Sequence, residues 1–430
     1  MHILFVLTFI FLAIQINSRE NIVNQPEPPG WFAGDIHTHK NCGGGSNPRT
    51  ADAKLREGMA ENDLSVLCVL ANMGNGDPKY TSIDLRRVNG NDDSISYPGR
   101  IIHWGAEWHY DPDENHPHKV IGGHLVVLGI QEAHTMPVEY TGTVFQWAMK
   151  QNGITGFAHM QYLDNSIPQT LNCCIPVEYP VEVALGTCAF ISEDVNGDDA
   201  AIEAYYKLLN CGFRPGLAAG TDYPCNGGAP FGTLLTYVQV KDKPLTYRNW
   251  IEGIANGRTV VSRDAHNEFF ELTVNGTSTP GDQIYLTDNA VTAEIKCSAT
   301  KELTGRVELI CNGKVLATHA GTVKPNEPLI LKTTQNFTKS GWLCDRRVDS
   351  NGHTSHTGAV YVIVNNAPIR ASSDDALYFA EWIDNILEKI APGGSRNSFF
   401  KNDMEAAQSR FKQAKDIYLK IAEEAKYVGN

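Results

Sequence analysis

Histidines and carboxylates recur where short apolar runs end, and no other feature constrains the fold of this 430-residue chain as tightly. His37 and His39 close the run Trp31-Phe32-Ala33-Gly34-Asp35-Ile36-His37-Thr38-His39. Glu107 and His109 follow Arg100-Ile101-Ile102-His103-Trp104-Gly105-Ala106, and His124 opens an apolar run after two glycines. His159 ends Ile154-Thr155-Gly156-Phe157-Ala158, and Asp222 ends Leu217-Ala218-Ala219-Gly220-Thr221. Ligands so far apart in sequence can share one ion only if strand ends converge, as they do on the rim of an α/β barrel.

Within a strand, side chains at i and i+2 point to the same face. Both imidazoles of His37-Thr38-His39 can therefore reach one cation, with Asp35 on the same side. Glu107 and His109 repeat that relation, and a carboxylate can bridge two ions where an imidazole cannot. Each of these residues, taken alone, also reads as an ordinary strand-end or core residue. Their ordered recurrence at strand edges is what favours a shared site.

Short β-type runs at 32–37, 64–71, 100–107, 124–130, 154–159, 189–195, 216–222 and 234–240 alternate with helical stretches, most clearly 50–62 and 199–211. This pattern predicts a mostly parallel α/β domain over 31–266. Period-two alternation then predicts an all-β, sandwich-like module over 267–370, with turns at Asn275-Gly276 and Asn312-Gly313. From about 371 to 430 the period becomes helical, broken at Pro392-Gly393-Gly394. Residues 19–30 read as an extended linker, and the long polar stretches 72–99 and 109–122 as site-shaping loops.

A formal charge of −13 argues against a nucleic-acid or anionic-membrane partner. The apolar run from Ile3 to Ile16 is too short for a spanning helix and resembles a signal peptide covering 1–18. A secreted or periplasmic protein with no stable membrane insertion after cleavage is expected. Ten cysteines show no regular framework; Cys297 and Cys311, flanking an expected hairpin, are a plausible bridge. Asn275-Gly276-Thr277 and Asn336-Phe337-Thr338 fit the glycosylation pattern. No Gly-x-Ser-x-Gly elbow, phosphate loop or dinucleotide fingerprint occurs.

Gly34-Asp35-Ile36-His37-Thr38-His39 resembles the first motif of the PHP (polymerase and histidinol phosphatase) superfamily of metallohydrolases. Glu107, His124, His159 and Asp222 are similar, in order, to its later ligand positions. Val181-Glu182-Val183-Ala184-Leu185-Gly186, Leu208–Arg214, Ala218–Asp222 and Asn256–Ser262 resemble the subgroup named for carbaryl hydrolase (CehA/McbA). The resemblance implies a distorted seven-stranded β/α barrel with metal ligands His37, His39, Glu107, His124, His159 and Asp222. The family's fuller pattern has further histidines where this chain has Ala71-Asn72 and Asp222-Tyr223-Pro224. One or two divalent ions (Zn, Mn or Fe) are therefore expected rather than three.

The expected activity is hydrolysis of an ester-, carbamate- or amide-like bond in a small-molecule substrate by a metal-bound hydroxide. His109 is the candidate acid for the leaving group and Asp35 a supporting carboxylate; a buried structural role serves His109 equally well. A phosphoesterase is the nearest alternative, although no Arg or Lys cluster suited to a phosphate clamp is evident beyond Lys40. An inert barrel whose β module binds carbohydrate or a partner is the third reading. His116 and His118 read as loop residues, and Asp264 and His266 as lying at the site's mouth or at a domain junction. The sequence leaves the oligomeric state open.

Overall fold

The computed structural model describes residues 26–40, 48–73, 83–108, 123–136, 138–158, 160, 176–193, 199–225, 232–286, 290–352 and 354–429. Among them are 18 strands and seven α-helices. The first strands fall on the apolar runs: β1 (Trp31–Thr38), β2 (Val66–Asn72), β3 (Ile101–Trp108), β4 (Leu125–Leu128) and β5 (Ile154–Phe157). β6 (Phe190–Glu193), β7 (Gly216–Ala219), β8 (Leu235–Gln239) and β9 (Thr259–Ser262) follow. Between them lie α1 (Pro48–Glu61), α2 (Gly142–Lys150), α3 (Tyr179–Ala184), α4 (Asp199–Asn210) and α5 (Tyr247–Ala255).

The expected distorted seven-stranded β/α barrel does not form. These strands belong to one mixed 15-stranded sheet, ordered β9-β8-β1-β2-β3-β4-β5-β6-β7 in this half. β1 to β3 and β5 to β7 run parallel within their groups, but β4 is antiparallel to both β3 and β5, and β8 to both β1 and β9. Apolar runs of four to eight residues do not encode the sense of pairing, which depends on the connections. The antiparallel steps at β4 and β8 break the repeat of parallel strands that such a barrel needs.

The same sheet continues into the C-terminal half through β17 (Thr354–Thr357), which pairs with β9. Beyond it lie β16 (Gly341–Asp349), β18 (Val360–Val364) and β11 (Gln283–Leu286), with β13 (Leu303–Cys311) and β14 (Lys314–Val323) on the side of β16. A second sheet has the order β10 (Glu268–Val274), β12 (Ala290–Ala299), β15 (Leu329–Asn336). The β13–β14 hairpin turns at Asn312 and Gly313, both at positive φ, as a two-residue hairpin requires. Cys297 and Cys311 are free thiols, which corrects the expected bridge. They lie in different sheets, because β12 and β13 pair with other strands and not with each other.

Two packing features prepare the site. α5 starts at Thr246, whose Oγ1 accepts the Asn249 N–H at 3.1 Å. Its Trp250, Ile251 and Ile254 form one apolar cluster with Ile36, Val66, Cys68, Leu70 and Val126. Leu67, Val69 and Ala71, alternating with these, enter the larger core, so β2 is buried on both faces. Gly34 permits this: a Cβ there would stand 2.5 Å from the Trp250 ring. On the outside, α6 (Ser373–Ile390) and α7 (Met404–Gly429) pack against α3, with Trp382 Nε1 donating to Val177 O and Tyr418 OH to Pro180 O.

Candidate metal centre

β1 ends in an irregularity between Asp35 and Thr38 that delivers His37 and His39 to one point. Their Nε2 atoms are 3.2 Å apart, and both rings are buried. β7, at the far end of the path, returns to β1 through a parallel bridge between Thr38 and Tyr223. The His39 N–H donates to Tyr223 O at 2.6 Å and the Asp222 N–H to His37 O at 2.8 Å. Asp222 Oδ1 thereby stands 3.3 Å from both His37 Nε2 and His39 Nε2. β3, two strands away from β1, brings Glu107: Oε2 lies 3.1 Å from His39 Nε2 and Oε1 3.5 Å from His37 Nε2. Glu107 Oε1 is also 3.0 Å from Nδ1 of His124, the residue that leads into antiparallel β4.

Donor atoms 3.1–3.5 Å apart are what one small cation gathers. Tetrahedral ligands at about 2.0–2.1 Å from zinc are separated by about 3.3 Å. His37, His39 and Glu107 form a buried group that could hold a metal ion. His39, Asp222 and Cys225 satisfy the same distance condition, but Cys225 is disulfide-bonded and offers no thiolate. His39 Nδ1 lies 3.0 Å from Leu70 O. A carbonyl only accepts, so Nδ1 carries the hydrogen, and in the neutral ring Nε2 keeps its lone pair for a cation.

The electrostatics agree with a cation site. Burial opposes charging of His39, yet hydrogen bonds to Asp222 and Glu107 outweigh it and raise its pKa to about 10. A proton on His39 thus offsets the concentrated negative charge. Burial acts to raise the Asp222 pKa, but His37 and His39 win and hold it below the usual carboxylate value.

Asp35 faces this cluster without being one of its convergent donors. Its Oδ1 accepts from His37 N at 3.0 Å and Thr221 N at 3.1 Å, and its Oδ2 from Thr221 Oγ1 at 2.6 Å. It staples the end of β1 to the segment after β7, fixing His37 and Asp222 relative to each other. Burial pushes its pKa up to about 6 despite those bonds. Gly220 completes the joint, since a Cβ there would meet His37 Cβ at 2.4 Å. Asp222 itself adopts φ of +53°, an uncommon conformation for a residue with a side chain.

His109, His159, His116 and His118 lie outside the described residues. Asp264 and His266 serve a junction: Asp264 pairs with Lys301 and bonds Asn267, while His266 Nδ1 is 3.1 Å from Tyr237 OH. Sequence reasoning missed Thr221, although its place beside Asp222 is a local signal. It also missed the pairing of Arg263 with Glu193, in which both Nε and Nη2 reach the buried Glu193 Oε2 at 3.0 and 2.9 Å. Nothing local in the sequence links those two.

No family model and no curated protein matches the chain. Solved structures give slight likenesses, several of them confined to about a fifth of the chain. A CARDB domain from Pyrococcus furiosus is 13% identical over 23% of this chain and 96% of its own, with a TM-score of 0.17. Fibronectin(III)-like modules of Clostridium thermocellum CbhA are 13% identical over 20% of this chain and 91% of theirs, at 0.15. An engineered protein covers 74% of this chain and 82% of its own at 9% identity, with a TM-score of 0.19. Likenesses this slight decide neither fold nor function.

Proposed function

We propose that this chain is an exported, metal-dependent hydrolase that cleaves an ester-, carbamate- or amide-like bond in a small molecule. The observation that carries the reading is the convergence of His37, His39, Glu107 and Asp222 from β1, β3 and the segment after β7, with donor atoms 3.1–3.5 Å apart. The resemblance of these ordered motifs to PHP metallohydrolases supports it. A divalent ion held there would lower the pKa of a bound water and polarise the electrophilic oxygen of the substrate.

The chain's own side chains set the rest. His37, His39 and Asp222 would hold one ion. Glu107, with Oε2 toward His39 and Oε1 toward His124, would with His124 help to hold a second. Zn, Mn and Fe all suit this mix of imidazole and carboxylate. The surroundings favour an uncharged substrate over a phosphoester. Lys40, which follows the first motif, pairs with Asp52 at 3.5 Å, and Arg87 pairs with both Asp52 and Asp93. A phosphate clamp needs cations directed at the substrate; these are directed at carboxylates. Export is supported by the apolar leader and by the disulfide at Cys225, since such bonds persist in oxidising compartments. No helix among the described residues is long and apolar enough to cross a membrane.

The test is to strip the purified protein of metal, reload it with Zn, Mn or Fe, and assay carboxyl-ester, carbamate and phosphodiester chromogenic substrates. Ester or carbamate turnover that requires metal is expected. Turnover of the phosphodiester alone would make the chain a phosphoesterase, and stoichiometric metal without turnover would leave a binding protein.

A further inference from the structure

We propose that Asn275 and Asn336 are N-glycosylation sites that guard the two outer strands of the three-stranded sheet. The inference rests on export from the reading above and is otherwise independent of the metal centre. The chain contains two Asn-x-Ser/Thr sequons with x other than proline, Asn275-Gly276-Thr277 and Asn336-Phe337-Thr338. The fold brings both to one place. Asn275 directly follows β10, and its N–H donates to Thr292 O at 2.8 Å. Asn336 is the last residue of β15 and lies opposite Ala290. β12 runs between these strands, so the sequons flank its first residues from either side.

Each acceptor is available in the folded chain. Asn275 and Asn336 are exposed, as are Thr277 and Thr338. Asn275 Oδ1 accepts the Thr292 N–H at 2.9 Å, which orients the amide and leaves Nδ2 directed away from that bond. Asn275 and Gly276, at φ of +51° and +76°, form a tight turn that lifts the sequon off the sheet. In β15, Ile330, Lys332, Thr334 and Asn336 form the solvent face, while the alternate residues are half-buried.

β10 and β15 are the outer strands of their sheet. Outer strands are where another chain can add, and proteins protect them with bulk or charge. Ile330 is 48% exposed on the β15 face, where its carbonyl accepts from the His319 ring at 2.8 Å rather than from a paired strand. A glycan is bulky and solubilising, and one on each outer strand would hinder addition there. β10 begins at Glu268, opposite Ala299, and carries Asn275 roughly 20 Å along its length from the junction with β9. Glycans at this end leave that junction clear.

The transfer itself is a substitution at carbon. Asn Nδ2 forms a bond to the anomeric carbon of a lipid-diphosphate-linked oligosaccharide, the carbon–oxygen bond to the diphosphate breaks, Nδ2 loses a proton, and the lipid diphosphate leaves.

The full chain should be secreted from insect cells once with its own leader and once with a borrowed one. Intact mass is then read before and after peptide N-glycosidase. Wild type is expected to lose two glycans, Asn336→Gln one, Asn275→Gln one, and the double variant none. Thr277→Ala removes the first sequon while keeping the Asn275 turn, and separates loss of the site from loss of the fold. Failure to secrete with the chain's own leader alone speaks against export, while the borrowed leader still decides the sites. Secreted wild type at its unmodified mass, or mass steps that ignore these substitutions, would overturn the sites. Enzymatically deglycosylated protein should shift to larger species in size-exclusion runs at rising concentration; identical elution of both forms would overturn the guarding role.

Discussion

Glu107 Oε2 and His39 Nε2 lie 3.1 Å apart, brought together by β3 and β1 across the intervening β2. Asp222 Oδ1 completes the triangle at 3.3 Å from the same nitrogen. Removing either end of this arrangement should empty it. His37→Ala and Asp222→Ala are each expected to cut bound metal to well under one equivalent and turnover by at least about 100-fold. Elemental analysis beside the ester assay measures both. The wild type should hold one or two equivalents, and three tightly bound equivalents would contradict the ligand set.

Asp35 should act through geometry. Asp35→Ala leaves two backbone N–H groups and the Thr221 hydroxyl without their acceptor, at a cost of about 1–3 kcal/mol. Metal affinity should fall with it by about 10- to 100-fold, as for other residues that orient ligands. Asp35→Asn keeps an acceptor for both N–H groups and should recover most of the loss. Denaturant melts and metal titrations of the two variants check this. Equal metal affinity in Asp35→Ala and wild type would remove the positioning role.

The Glu193–Arg263 pair offers a separate test of what joins β6 to the segment after β9. Both side chains are almost fully buried, and the guanidinium reaches one carboxylate oxygen through two nitrogens. Arg263→Met alone should destabilise the protein by about 3–5 kcal/mol, because it strands a buried charge. Adding Glu193→Gln to that variant should restore part of the loss. Urea melts of the single and double variants decide the matter.

Glu178 should give the stability a pH slope. Burial raises its pKa to about 8, with the neighbouring Glu182 adding to that and the Thr141 hydrogen bonds opposing it. Folded, the carboxyl stays protonated well above the pH at which the unfolded chain releases its proton. The unfolded state therefore binds fewer protons between about pH 4.5 and 8, and stability falls as pH rises through that window by up to about 1.4 kcal/mol per unit. Glu178→Gln should remove this slope. Urea melts at pH 5, 6.5 and 8 compare the two, and parallel slopes would refute the assignment.

Much of the local structure was legible. The expected runs 32–37, 100–107 and 216–222 fall on strands Trp31–Thr38, Ile101–Trp108 and Gly216–Ala219, and the stripe Ala201, Ala204, Tyr205, Leu208 became the buried face of α4. Patterns of this kind are set by which side chains must leave water, and that is written residue by residue. The antiparallel placement of β4 was not legible, since Leu125-Val126-Val127-Leu128 is equally apolar in either direction. Nor was the free state of Cys297 and Cys311, which depended on β12 and β13 choosing other partners.

By itself the sequence determined the elements and the chemical types at their ends: two imidazoles at the end of β1, a carboxylate in β3, another after β7. Only the tertiary structure decided that the sheet is mixed and runs on through β17, that β7 returns to β1 through Thr38 and Tyr223, and that Asp35 staples rather than joins the convergent donors. Periodicity reports burial, a property of each residue against water. Which strand lies beside which, and in what sense, is a property of pairs, and it is settled only when hydrogen bonds and side-chain shapes from distant segments are satisfied together.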